Sequence, residues 1–271
     1  MSGNPLAVAE PWDLVADGYA EFAPAIMQPF SDCAIEFAAL TPSSQVIDVA
    51  AGTGLLSLLA APQVAQVHAI DFSGSMLARL DAAAQAAGLT NIQTRVGDGQ
   101  ALPFDDEQFD AGFSMFGLMF FPERAKGFAE LFRVLRPGAT AVVSSWAPVQ
   151  EAPLMRLMFS AFRAADPSVE EPQPNYLSLE NPEVFQSEMR SAGFEGVSIQ
   201  RHSTSLAFAD AGQLWDTMAR SSAPLVLCRR KLGEQVWAER AAVMRDYLAE
   251  HYRPHHPLST TAFLGIGHKP S

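Results

Sequence analysis

From Gln45 onward the chain alternates short, nearly all-apolar runs with helical ones, and this alternation constrains the fold more than any other feature. QVIDVA (45–50), VAQVHAID (64–71), NIQTRV (91–96), FDAGFSMF (109–116) and ATAVVSSW (139–146) read as strands. Between them lie LLSLLAAP (55–62), a short helix closed by Pro62, and SMLARLDAAAQAAGL, which Ser73 precedes as an N-cap and Gly88 stops. ERAKGFAELFRVL (123–135) is a further helix, and the turn Arg136–Pro137–Gly138 launches the fifth strand. Strands apolar along most of their length must be covered on both faces, as in a parallel sheet with crossover helices on each side. The expected architecture is α/β and doubly wound.

Beyond Trp146 the pattern loosens. Residues 147–180 contain several prolines and the helical stretch PLMRLMFSAFRAA, whose apolar side chains surround much of the helix and call for burial on more than one side. NPEVFQSEMRSAGF (181–194) is a helix with Asn181 as N-cap, Pro182 at the first position and Gly193 as stop. EGVSIQRHSTSLAF follows as a strand of alternating character, residues 209–256 read as helical, and LSTTAFLGIGHKP (258–270) supplies a closing strand.

A length of 271 residues suits one globular domain with elaborations. With 18 Lys and Arg against 30 Asp and Glu, the net charge is -12, which disfavours the cationic surface that nucleic-acid binding rests on. No run of about 18 apolar residues and no secretory leader pattern is evident, so the chain is expected to be cytoplasmic, without a membrane partner. Cys33 and Cys228, far apart and in apolar helical surroundings, read as buried free thiols, and no metal-ligand pattern includes them.

The chemistry concentrates where strands give way to loops. VIDVAAGTG (46–54) joins a buried strand to a helix through a turn almost without side chains, and Asp48 enters that turn. Asp71 ends the next apolar run, and Asp98 follows the third between Gly97 and Gly99. The carboxyl end of such a sheet is where open α/β folds bind ligands, facing free N–H groups at a helix N-terminus. A dinucleotide would set its pyrophosphate against this turn, where Asp48 repels it, and the third glycine of that fingerprint is Ser57. S-adenosylmethionine carries no phosphate but an ammonium and a sulfonium, which a carboxylate favours. Asp71 suits ribose hydroxyls for either cofactor, and Asp98 can accept the exocyclic amine of an adenine.

In these segments, together with FSMFGLMFFP and ELFRVLRPGATAVVSSW, the chain from about Val46 to Trp146 resembles a class I S-adenosylmethionine-dependent methyltransferase of the ubiquinone/menaquinone-biosynthesis, small-molecule type. The resemblance implies that Asp48, Ala50, Gly52 and Gly54 surround the methionine moiety and that Asp71 holds the ribose. It also implies that Phe72 and Met76 lie near the adenosine and that Asp98 with Gly99 reads the adenine, while Gly97 beside them lets the cofactor-binding loop approach closely. Tyr19 lies in the N-terminal helical region that folds over the cofactor in such proteins, with Trp12 a secondary candidate. Ser114, at the end of the fourth strand, joins the ligand-facing set. Ala50 departs from the family, which commonly has glycine there. The fold so implied is a Rossmann-like sheet of seven mostly parallel strands, the last antiparallel, with helical lid insertions. Within one domain, residues 1–40 are then an N-terminal helical lid and 41–146 the cofactor-binding core. Residues 147–180 and 206–256 are substrate lids, and 181–205 and 257–271 complete the sheet.

The implied reaction is methyl transfer by SN2 displacement to a small acceptor, which the apolar FSMFGLMFF suggests is apolar or aromatic, although Phe113, Met115, Phe116, Met119 and Phe120 equally suit core packing. SMFG stands where amino-group methyltransferases of nucleic acids and proteins carry an Asn-Pro-Pro-Tyr type motif, which disfavours those substrates. No catalytic base is singled out; His202 and His255 are the candidates if a hydroxyl or thiol must lose its proton. The cluster His251, His255 and His256 lacks a completing ligand set, and no metal is expected. An NAD-dependent oxidoreductase and a non-catalytic S-adenosylmethionine-binding or interaction protein are the alternatives.

Overall fold

The computed structural model describes residues 4–271. Its centre is one seven-stranded sheet in the order β3-β2-β1-β4-β5-β7-β6. The strands are β1 (Gln45–Val49), β2 (Gln66–Asp71), β3 (Ile92–Val96), β4 (Phe109–Ser114), β5 (Leu135–Trp146), β6 (Glu195–Leu206) and β7 (Leu258–His268). The first five run parallel, and β7 slots between β5 and β6 antiparallel to both. The chain winds outward from β1 to β3 and then returns to the other side of β1 as β4. The order therefore reverses between β1 and β4, and the loops there diverge to leave a crevice.

Period-2 alternation divides the core. Val46 belongs to an apolar cluster with Phe30, Phe113 and Leu264, while Ile47 and Val49 belong to another with Phe109, Phe128 and Phe185. β3, at the edge, is only partly covered, and Val96 is 61% exposed. The fifth strand starts earlier than the turn signal suggests. Helix α4 (Arg124–Val134), which follows α2 (Leu55–Ala60) and α3 (Gly74–Ala86), leads straight into Leu135. Phe109 pairs with Leu135 and Ala111 with Thr140, so Arg136–Pro137–Gly138 is absorbed as a bulge instead of a separate turn.

The helix caps follow the sequence. Ser73 Oγ accepts the Met76 N–H at 3.1 Å at the start of α3, and the Asn181 side chain accepts the Glu183 N–H at 3.0 Å at the start of α6 (Pro182–Ser191). Helix α5 (Pro153–Ala165) fully buries one stripe, Leu154, Met158 and Ala161, leaves Met155, Leu157, Phe159 and Phe162 half-buried, and packs against both the last helix and β7. It joins α7 (Ala211–Ser221), α8 (Ala223–Leu232) and α9 (Glu234–His251) in a helical cluster centred on stacked Trp215 and Trp237, 6.0 Å apart.

The 29-residue α1 (Glu10–Ala38) connects that cluster to the sheet. Ile26 packs into the helical cluster, whereas Phe30, Ala34 and Ile35 pack on the sheet side. Cys33 and Cys228 are free and half-buried instead of fully buried. No helix among the described residues is long and apolar enough to cross a membrane.

Candidate functional site

The loops after β1, β2, β3 and β4 meet in a cavity of about 270 Å³ that α1 closes from above. Asp48 lies at its floor, 1% exposed, with Ser57 Oγ donating to Oδ2 at 2.7 Å. Burial pushes its carboxyl up to about 7, against the opposing effect of the Ser57 bond. Asp71 is also buried, and its two oxygens accept the Gly52 N–H and the Ser73 N–H, each at 2.8 Å. Burial raises it to about 6. Asp71 thus ties the β1 loop to the start of α3, and each oxygen keeps a further lone pair for a ligand.

The β1 loop turns through left-handed backbone at Ala50, Gly52 and Gly54, whose φ values are 57°, 57° and 79°. A side chain at Gly54 would run into Leu80, its Cβ 2.2 Å from Leu80 Cδ1, so glycine is required there twice over. Ala50 occupies a conformation that costs an L-residue about 1–2 kcal/mol. Its methyl fits because the facing residue is Gly117, where an added Cβ would stand 2.3 Å from Ala50 Cβ. The alanine that departs from the family pattern is therefore matched by a glycine one strand away. Phe116 is left-handed too, at φ 59°, with its N–H bonded to Ser144 Oγ at 2.8 Å and its ring stacked on Trp146 at 4.0 Å. Two non-glycine residues in this sparsely allowed region flank the crevice between β1 and β4.

Phe72, Met76, Gly97, Asp98 and Gly99 line the cavity. Met76 is buried, Phe72 is 38% exposed and Asp98 is exposed, its carboxylate accepting the Gln100 N–H at 2.8 Å. Tyr19 and Trp12 line it from α1, their rings edge to face at 6.1 Å. The Tyr19 hydroxyl donates only to Met27 Sδ, at 3.3 Å, and burial, then the Asp71 charge, raises its ionisation far above the usual phenol range. It remains a neutral donor. Asp13 fixes this wall by accepting from Ser73 Oγ at 2.6 Å and from the Ser75 N–H at 3.3 Å.

Several residues named from the sequence lie away from this cavity. Ser114 does not line the cavity; alternation along β4 turns it away, and its buried hydroxyl accepts the Leu118 N–H at 3.2 Å. Of the apolar stretch after it, Met115, Phe116 and Phe120 line the cavity, whereas Phe113 and Met119 are core. His202 and His255 are not on the cavity wall either. His202 sits on β6 with Nδ1 3.7 Å from Cys33 Sγ, and His255 is an exposed turn residue at φ 58°. The wall takes nothing from 147–180 or 206–256, which cover other parts of α1 and the sheet. No metal-binding cluster occurs among the described residues. Ala23, Met27 and Ser31 also line the wall and were not singled out from sequence, because only the docking of α1 over β4 brings them there.

Three carboxylates face a cavity whose described lining contains no Lys, Arg or His. A cationic ligand is stabilised there, and a pyrophosphate is not. The cavity wall also offers flat apolar surfaces on which a ring can lie.

Residues 46–138 match the model of a methyltransferase domain. The chain is 32% identical over 181 residues to the demethylmenaquinone methyltransferase of Thermus thermophilus, covering 59% of this chain and 79% of that protein. It is 41% identical over 128 residues to an uncharacterized protein of Mycobacterium tuberculosis, covering 47% of this chain and 46% of that one. The chain spans about half the length of the first curated relatives it matches. Among solved structures, the [4+2]-cyclase SpnF superposes with a TM-score of 0.60 at 20% identity over the whole of both chains, a likeness of fold.

Proposed function

The chain belongs to the class I S-adenosylmethionine-dependent methyltransferases, and from that premise we propose that it transfers a methyl group to a small apolar or aromatic acceptor held under α1. The observation that carries this reading is the pairing of buried Asp48 and Asp71 with a cavity wall free of cationic side chains among the described residues. Asp48 has a single hydrogen-bond donor, Ser57, so its burial as an anion calls for a positive partner. The ammonium and sulfonium of S-adenosylmethionine fit that requirement, and a nicotinamide dinucleotide does not.

Asp48, Ala50, Gly52 and Gly54 would surround the methionine moiety, and the remaining acceptor capacity of Asp71 would take the ribose hydroxyls. Phe72 and Met76 would cover the adenosine, with Asp98 and Gly99 at the adenine edge. When bound, S-adenosylmethionine supplies a methyl group on a sulfonium sulfur, which an acceptor lone pair displaces. The chain's own contribution is alignment and exclusion of water: α1 closes the cavity, Tyr19 and Trp12 present aromatic faces, and Met115 and Phe116 form the opposite wall. Positioning of this kind lowers a barrier by several kcal/mol without a strong base. The placement of His202 and His255 outside the cavity wall agrees with that.

Calorimetric titration with S-adenosylmethionine, S-adenosylhomocysteine and NAD tests the cofactor reading. The first two are expected to bind and NAD is not; the reverse overturns it. Labelled methyl transfer to phenols, quinols, thiols, amines and carboxylates tests the acceptor class, and transfer to none of them favours a non-catalytic role.

A further inference from the structure

The α1 wall carries a stripe with a spacing of four residues, Tyr19, Ala23, Met27 and Ser31, and all four line the cavity. A helix rises about 1.5 Å per residue, so the stripe extends about 18 Å from the Tyr19 hydroxyl-bearing end to Ser31. Its middle is apolar and faces Met115 and Phe116 from the end of β4. Its far end is not. Ser31 is 1% exposed, yet its hydroxyl has no hydrogen-bond partner among the described residues, not even the carbonyl four residues back that Ser221 uses through its own hydroxyl. No fully occluded side-chain N or O among the described residues lacks a partner, so the small surface that Ser31 keeps belongs to its hydroxyl. That hydroxyl is left free to bond to whatever occupies the cavity.

We propose that the α1 side of the cavity is the acceptor subsite and that it selects a flat, uncharged aromatic ring bearing an oxygen that hydrogen-bonds to Ser31. This deepens the methyl-transfer reading and rests on it for the word acceptor. The ring body is selected by Met27, Met115 and Phe116, because thioethers and aromatic faces both pack well against π-surfaces. Its charge state is selected by the wall. The only ionisable groups along the described lining are Asp48, Asp71, Asp98 and Tyr19, so an anionic carboxylate has no cation to meet and only acidic groups around it. A neutral phenol or ring carbonyl matches a serine hydroxyl, which can donate or accept.

The test uses the full chain and three probes of equal ring size: 2-naphthol, naphthalene and 2-naphthoate. Binding is followed by tryptophan fluorescence, with and without S-adenosylhomocysteine. Wild type is expected to bind 2-naphthol about tenfold more tightly than naphthalene, the worth of one hydrogen bond, and 2-naphthoate least. Ser31→Ala should bring 2-naphthol to the naphthalene level while leaving naphthalene unchanged, and Ser31→Thr, which keeps the hydroxyl, should retain the preference. Persistence of the preference in Ser31→Ala, its absence in wild type, or naphthoate binding as tightly as naphthol overturns the proposal. Failure of S-adenosylhomocysteine to bind wild type would instead break the donor reading, because the probe series without it reports on Ser31 alone.

Discussion

The two sides of the cavity are built on opposite plans. The side formed by the loops after β1, β2 and β3 is polar, carries Asp48, Asp71 and Asp98, and comes from 52 consecutive residues, 48–99. The side formed by α1 and the end of β4 is apolar and joins residues far apart in the chain, such as Met27 and Met115. Loops at the ends of adjacent parallel strands are gathered by the sheet itself, so their chemistry is fixed once the strands pair. A helix laid across the sheet has no such register, and its contribution depends on Asp13 clasping Ser73 and on Phe30 seating against Phe116 and Trp146.

If the two sides are this distinct, perturbing one should spare the other. The largest effect is expected for Asp71→Ala. On the proposed role of Asp71 as the ribose acceptor, loss of charge-assisted bonds worth about 1.5–3 kcal/mol each should weaken S-adenosylhomocysteine by roughly a hundredfold or more in calorimetry. Binding of 2-naphthol to the cofactor-free chain should change by less than about threefold; an equal loss of both would show that the sides are one unit.

Gly117→Ala probes the seam between them. The added methyl meets that of Ala50, and overpacking of this sort costs about 1–3 kcal/mol in urea unfolding. Ala50→Gly, which also relieves the left-handed strain, should recover most of that loss when combined with it. Independent, additive effects would mean that the two residues do not depend on each other.

Titration gives a smaller and directional signal. Burial first of all raises Asp48 to about 7 and Asp71 to about 6, from 3.8. For a carboxyl raised in the folded state, the stabilisation is present in full below the unfolded value and is lost as pH rises through the folded one. The unliganded chain should therefore lose stability between about pH 4 and 7 relative to Asp48→Asn, which removes the Asp48 share. Over the same interval the preference for cationic S-adenosylmethionine over neutral S-adenosylhomocysteine should grow in wild type and grow less in Asp48→Asn, where Asp71 alone of the two still gains charge. Least of all, His202→Ala and His255→Ala should leave methyl transfer within about twofold, as surface substitutions usually do; a loss of pH-dependent turnover in either would restore a general base.

Much of the donor side was legible because its signals are local. Ser73 before a run of alanine and leucine marks a capped helix, and Gly52 and Gly54 after an apolar strand mark the turn that Asp48 and Asp71 flank. Where reading failed, the deciding quantity was not local. Ser114 and Met115 are neighbours, and only the pleat of β4 decides which one faces the cavity. Residues 153–165 are apolar around much of the helix, and only packing against α9 and β7 decides that Leu154, Met158 and Ala161 are the side chains fully buried. Arg136–Pro137–Gly138 resembles a turn, but pairing of Leu135 with Phe109 draws it into the strand as a bulge.

The sequence by itself determined the doubly wound sheet, the strand-end carboxylates and the resemblance to a methyl-donor site, since apolar periodicity, glycine and charge act over a few residues. Tertiary structure alone decided that Ala50 is tolerated opposite Gly117, that His202 and His255 stand outside the cavity wall, and that Ser31 completes that wall with a hydroxyl that has no partner among the described residues. Those outcomes depend on which surfaces α1, β1 and β4 present to one another, a matter of packing between segments that no local pattern encodes.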